Sequence, residues 1–440
     1  MNHILFHIDV NSAFLSWTAA ERQKDHTTTE PDLRTIPSVI GGDLASRHGI
    51  VLAKSIPAKA YGIHTAEPIP SALRKCPTLT VIPPDHALYD RYSRQMMTLL
   101  SGYTPDLEKL SIDECFLDFT PISGLYSSPL EAAHIIKEDI KTQLGFTVNI
   151  GIAPNKVLAK MASDFTKPDR IHTLFPDEIP AKMWPLPVDD LYMVGRSSAS
   201  RLKALGIRTI GELAHTDPDY LQSEFKSHGL MMWEHANGIG DDEIHSEVRE
   251  LKGIGNSVTL RQDAATKEEA YKVLLSLSET VSGRLRTAGQ LAQTVTVEIK
   301  YSNFSSYSHQ MPFFTPTNTT EELYHTSCQL FDELWNGTPI RLLGIRTTKL
   351  QAESVLPGCC HRIHRSRCPF LIFLRHQTQC FLLTLRQMRT SCGSWMRPLI
   401  LSGKNTARTP LSAEPSWMPR TNIILRHHAS QPSDQPSRFP

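Results

Sequence analysis

Ser111-Ile-Asp-Glu-Cys-Phe-Leu-Asp-Phe119 sets two adjacent carboxylates, Asp113 and Glu114, inside an otherwise apolar, strand-like run. A carboxylate is costly to bury unless it is paired or holds a cation, so this stretch calls for a partner elsewhere in the chain. Upstream, the apolar run 4–8 ends in Asp9, as a buried strand of a central sheet would. Residues 12–24 fit a short helix and 26–38 a polar, Thr/Pro-rich connection. A strand over 49–55 follows the Gly41-Gly42 turn, and 89–100 has a helical pattern. Downstream, Ala132, Ile136, Ile140 and Leu144 share one face of a helix over 129–144 that Gly145 closes. VNIGI (148–152) alternates as a strand, and 155–165 is helical until Lys167-Pro168 stops it. Strands and helices interleaved within the first 170 residues indicate an α+β catalytic domain.

Beyond it the character changes. Over 185–240 short helices are punctuated by Gly195, Gly206, Gly211, Gly229, Gly238 and Gly240, and Thr209-Ile-Gly-Glu212 fits a capping box. From 257 to 350 a helix over about 267–287 precedes alternating strands, TVTVEIKYS (294–302) being the clearest. This is a second, smaller α+β unit. Residues 351–440 hold 12 Lys and Arg, 11 of them arginine, against 3 Asp and Glu, with five of the eight cysteines and no sustained period of 2 or 3.6. That tail is left without a fold and is expected to be disordered or a sequence read in a shifted frame.

The chain's net charge of +1 hides this division, since the first 350 residues carry 34 basic against 42 acidic side chains. Charge therefore neither supports nor excludes a nucleic-acid partner. At 440 residues the chain is long enough for two to four domains. No run of about 18 apolar residues is present and the N-terminus lacks a basic n-region, so a soluble, cytoplasmic protein with no membrane partner is expected. Cys76, Cys115 and Cys328 are isolated and form no zinc-type pair, which fits a reducing compartment.

Asp9, Asp113 and Glu114 suit phosphoryl transfer, in which hard oxygen ligands hold divalent ions such as Mg²⁺. Adjacent residues of an ideal strand face opposite sides, so Asp113 and Glu114 can share a site only at a strand end or hairpin tip. By residue type alone the alternative stands that both lie in an exposed turn and that Asp9 caps a helix.

DVNSAF (9–14), SIDECFLD (111–118) and GIAPNKVLAKMASDFTKP (151–168) together resemble, in order and spacing, the three signature segments of Y-family DNA polymerases, most closely the bacterial polymerase IV group. The resemblance covers residues 1 to about 350. It implies a right-hand fold with a palm over 1–10 and 78–168, fingers over 11–77, a thumb with a helix-hairpin-helix over 169–240, a little finger over 246–350, and the unassigned tail at 351–440. It implies translesion-type DNA synthesis, a nucleotidyl transfer from deoxynucleoside triphosphates to a primer on a template, by a monomer.

Two Mg²⁺ ions, with Mn²⁺ as an alternative, would be held by Asp9, Asp113, Glu114 and the Val10 carbonyl. Phe14 falls at the family's steric gate against ribonucleotides, with simple core packing as the alternative. Lys59 and Lys160 fall at triphosphate-binding positions. Lys59 replaces the usual arginine and Ile56 the usual tyrosine, and Lys156 is better explained by a solvated helix face. Gly195, in the thumb hairpin where Met193 replaces a customary glycine, is a DNA contact, as are Arg261, Lys300 and Arg341 of the little finger; solvated surface charge is the alternative for these three. After Leu350 there is no glutamine-to-phenylalanine motif of the kind that docks on a sliding clamp, so a clamp partner is left open. The break also falls near the last expected little-finger strand. A chain without that strand would be a catalytically impaired DNA-binding protein, which is the alternative function.

Overall fold

The computed structural model describes residues 3–24, 30–42, 49–246 and 251–353. The expectations for the tail from 354 onward, the clamp motif among them, lie outside the described residues.

Two sheets share the first 173 residues. Strand β1 (Leu5–Val10) leads into helix α1 (Ala13–Gln23), then β2 (Ser38–Gly41), β3 (Val51–Lys54), the one-turn helix α2 (Ile56–Ala60), α3 (Ile69–Lys75), β4 (Thr80–Ile82) and α4 (His86–Ser101). Next come β5 (Leu107–Lys109), β6 (Glu114–Asp118), α5 (Pro129–Asp139), β7 (Val148–Ala153), α6 (Lys156–Asp164) and β8 (Ile171–Thr173). The larger sheet has the order β5-β6-β1-β7-β8 and the smaller β3-β2-β4. The central strands β1 and β7 are buried along their whole length, which explains their nearly unbroken apolar runs. The helix expected over 129–144 ends in a π-helical turn, Ile140–Leu144, and Gly145 closes it at φ 79°. The small sheet also crosses the 77/78 boundary expected between fingers and palm, because β4 pairs in parallel with β2.

Helix α6 lies flush on β7. A Cβ at Gly151 would stand 2.0 Å from the Ala159 carbonyl oxygen and 2.5 Å from the Ser163 nitrogen, so only glycine fits there. Asn155 caps the helix by accepting from the Leu158 N–H at 2.9 Å. The other side of α6 shares a core with a helical segment: α7 (Ile179–Lys182), α8 (Arg196–Ala204), α9 (Ile210–Ala214), α10 (Pro218–Phe225) and α11 (Ser227–Ala236). The capping box at Thr209 and Glu212 starts α9 as the sequence indicates. Lys156 is buried rather than on a solvated face: its ammonium pairs with Glu108 at 2.7 Å and Asp241 at 2.8 Å.

The last unit is β9 (Gly253–Ala264), α12 (Lys267–Thr287), β10 (Gln290–Tyr301), β11 (Ser306–Thr317), α13 (Thr320–Leu334) and β12 (Ile340–Ala352), in a sheet ordered β11-β10-β12-β9. Val295, Val297, Ile299, Leu343 and Ile345 point into a core with Leu274, Leu277, Val281, Leu323 and Leu330 of the two helices. The last strand, in doubt from the sequence, is present and antiparallel to β9, so this sheet is complete to residue 352. No helix among the described residues is long and apolar enough to cross a membrane.

Candidate active site

The hairpin between β5 and β6 resolves the problem of adjacent carboxylates. Asp9 of β1 pairs directly with Glu114, the first residue of β6, and directly opposed residues point to one face. Asp113 precedes the strand, in the turn, and so escapes the pleat. The Val10 N–H donates to its carbonyl at 3.1 Å. The Ser111 hydroxyl donates to Asp113 Oδ1 at 2.7 Å and reaches Glu114 Oε2 at 3.4 Å, tying the two carboxyls to one turn. The sequence-derived trio is therefore brought together, at a strand end and not in an open loop.

Burial pushes the Asp9 carboxyl above its ordinary range, and closeness to Glu114 adds to this. Burial also raises Asp113, with the charge of Asp9 contributing. Two lysines oppose the crowding. Lys160, from α6, is ion-paired with Glu114 and lies 3.5 Å from Asp9 Oδ2; Lys167 donates to Asp9 Oδ1 at 2.8 Å. Burial alone would lower the Lys160 ammonium, but Glu114 outweighs it and its pKa ends above the ordinary value. The donor set is hard oxygen throughout, carboxylates plus the backbone at Val10, and it already gathers positive charge. That is the chemistry Mg²⁺ or Mn²⁺ requires. A second acidic grouping, Asp241, Glu243 and His245, is exposed, with Asp241 committed to Lys156.

Asp9, Val10 and Asp113 open onto a cleft of about 340 Å³. Phe14 lines it from the start of α1, half-buried, its ring stacked on Tyr89 at 4.3 Å between centroids and 5° between planes. One face is thus fixed by packing while part of the ring stays accessible. Lys59, exposed on α2, lines the same cleft. Lys160, held between Glu114 and Asp9, is not among the lining residues, whereas Lys167 is. Lys54 lines it too. Lys54 and Lys167 have no counterpart among the sequence-derived candidates. For Lys167 a signal was available, since it stands three residues past the helix that carries Lys160; Lys54 shows itself only in the burial pattern of β3, beside buried Val51 and Ala53.

The expected DNA contacts lie elsewhere. Gly195 is the exposed N-cap of α8, and Met193 two residues before it has φ 72°, a left-handed conformation that explains the customary glycine. Arg261 is exposed on β9. Lys300 and Arg341 converge on one ring, with Lys300 Nζ 5.3 Å and Arg341 Cζ 4.7 Å from the centroid of Phe304. On the sheet face turned away from α12 and α13, Arg346 stands opposite Gly255, beside the pair Gly344 and Ser257. This is a cation on a surface of small residues that the sequence did not single out.

Comparison with known proteins matches this architecture. The impB/mucB/samB family model covers residues 8–164, its helix-hairpin-helix motif 176–207, and its C-terminal domain 251–356. DNA polymerase IV of Clostridium acetobutylicum is 49% identical over 355 residues, spanning 80% of this chain and 89% of that protein. DNA polymerase IV 1 of Bacillus subtilis is 38% identical over 351 residues, spanning 79% and 82%. A solved structure, the Y-family DNA polymerase chimera Dbh-Dpo4(243-245)-Dbh, superposes with a TM-score of 0.70 at 22% identity over 79% of this chain and 99% of that one, a likeness of fold. With carboxylates, helix-hairpin-helix and C-terminal sheet each falling inside its own segment of the match, the chain belongs to the impB/mucB/samB family, the translesion-type Y-family DNA polymerases.

Proposed function

We propose that this chain extends a primer along a template from deoxynucleoside triphosphates, with Asp9, Asp113, Glu114 and the Val10 carbonyl holding two Mg²⁺ ions; Mn²⁺ offers the same octahedral oxygen coordination. The observation that carries the reading is the meeting of β1 with the β5–β6 hairpin at the mouth of a cleft that also bears lysines. The ions would lower the pKa of the attacking 3′-hydroxyl and neutralise the departing pyrophosphate. The protein's own groups position the reactants. Lys59 and Lys167 grip the triphosphate as point charges, without the fork an arginine would give. Lys160, between Glu114 and Asp9, balances the carboxylate charge and is the further cation for the triphosphate. Phe14, braced by Tyr89, presents a ring edge where a ribose 2′-hydroxyl would stand, and so selects deoxyribose by shape.

In this reading the five-stranded sheet is the palm, the region around the three-stranded sheet the fingers, residues 169–240 the thumb, and 246–350 the little finger. The N–H groups near Gly195 and the cations Arg261, Lys300, Arg341 and Arg346 hold DNA phosphates. The reading takes the chain to be a monomer that works in the cytoplasm, where deoxynucleoside triphosphates and the DNA are found. Primer extension on undamaged and abasic templates tests the reading. Mg²⁺-dependent extension that continues past the lesion is expected, and no extension on either template would refute it.

A further inference from the structure

Lys54 is a cleft cation for which the reaction so far has no use. On β3 it alternates with buried Val51 and Ala53, so its side chain lies on the strand's accessible side, half-buried, along the cleft with Lys59 and Thr65. Its ammonium donates to the Thr65 hydroxyl at 3.2 Å. Among the described residues no carboxylate pairs with Lys54 or with Lys59, and the nearby Glu67 is taken by Lys75 at 2.5 Å. Burial holds the Lys54 ammonium below its ordinary value, and the charge of Lys59 pushes in the same direction. Two like charges thus share a cleft wall, and Glu67, committed to Lys75, offsets only part of the shift at Lys54; an anion entering the cleft relieves the arrangement. Between them in the chain stands Ile56, 59% exposed and lining the same cleft with no donor to offer.

We propose that Lys54 binds the triphosphate of the incoming nucleotide, as another cation beside Lys59 and Lys167, and supplies the contact that Ile56 cannot make. The inference rests on the reading that this cleft takes a nucleoside triphosphate. It differs from a propping role, in which the ammonium serves only to hold Thr65. An ammonium–phosphate bond is charge-assisted, and its loss in a half-exposed site weakens binding about five- to tenfold.

The test is equilibrium binding of deoxynucleoside triphosphate, in Mg²⁺, to the full chain on a dideoxy-terminated primer–template, where no chemistry follows. Lys54→Met is expected to weaken nucleotide binding about five- to tenfold and to leave primer–template affinity unchanged, whereas Lys54→Arg stays near the parent. Ile56→Tyr added to Lys54→Met is expected to recover part of the loss. Unchanged nucleotide affinity in Lys54→Met would overturn the proposal, as would an equal loss with Lys54→Arg, which would mark a packing role. A dead Asp113→Ala enzyme beside an unaffected Lys54→Met would remove only the role of Lys54; an active Asp113→Ala enzyme would remove the nucleotide site as well.

Discussion

The two ends of the molecule handle charge in opposite ways. Where β1 meets the β5–β6 hairpin, three carboxylates and two lysines are packed within contact of one another and largely withdrawn from water. On the C-terminal sheet, Lys300 and Arg341 share the Phe304 ring, and neither they nor Arg261 and Arg346 are paired with a carboxylate among the described residues. The first arrangement is strained and specific, as chemistry at a fixed point demands. The second is loose, and suits a partner whose phosphates repeat and whose sequence is not read. On the function proposed, charge density distinguishes the part that reacts from the part that holds.

The largest expected effect breaks the dense end. Asp113→Ala or Glu114→Ala should lower primer extension by at least about 10³-fold while circular dichroism and melting stay those of a folded protein. Extension near the parent rate at saturating Mg²⁺ would mean the charge cluster is structural. Next comes the cleft wall: Phe14→Ala should cut discrimination against ribonucleotides about 10- to 200-fold, read as the ratio of kcat/KM for the two sugars on one template. An unchanged ratio would reduce the ring to packing on Tyr89.

The loose end is tested by salt. Affinity for primer–template should fall linearly on a log–log plot, and changing Arg261 and Arg346 together to alanine should flatten the slope by about two. A slope near zero in the parent would contradict a phosphate-holding surface.

Two smaller effects concern stability. Burial, joined by Asp9, raises Asp113. A carboxyl whose pKa is higher folded than unfolded favours the fold when protonated, and that contribution disappears as pH rises through the folded value. At neutral pH the charged side chain therefore costs stability. Asp113→Asn should melt higher than the parent in a chelator, by about 1 kcal/mol, and lose that advantage at pH 3. Met193→Gly should stabilise by about 1 kcal/mol in denaturant titrations, because glycine adopts φ 72° without a Cβ clash.

Much of this was legible in the sequence, for identifiable reasons. The helix over 267–287 is observed as Lys267–Thr287, because its period is long and its capping box intact. The carboxylate trio could be named from the three signature segments, since by residue type alone an exposed turn stood as the alternative; the register that unites the acids could not, since it depends on where β6 begins. Lys160 was placed at the phosphates by the resemblance, and its ion pair with Glu114 was not foreseen, because helical spacing shows a face but not depth. Lys156 was misjudged for the same reason: Glu108, its buried partner, lies 48 residues away in sequence. Lys54 and Arg346 went unnoticed because a single cation in a strand reveals its role only when the facing strands are known.

Gly151 bears on how such a site tolerates change. With no side chain there, α6 rests directly on the sheet, and that contact sets how deeply Lys160 reaches between Asp9 and Glu114. A single added methyl would act as a shim, tilting the helix outward and withdrawing the ammonium from both acids. On the function proposed, activity depends on a thickness: one missing carbon on β7, which does not line the cleft, sets the spacing of the charges beside it.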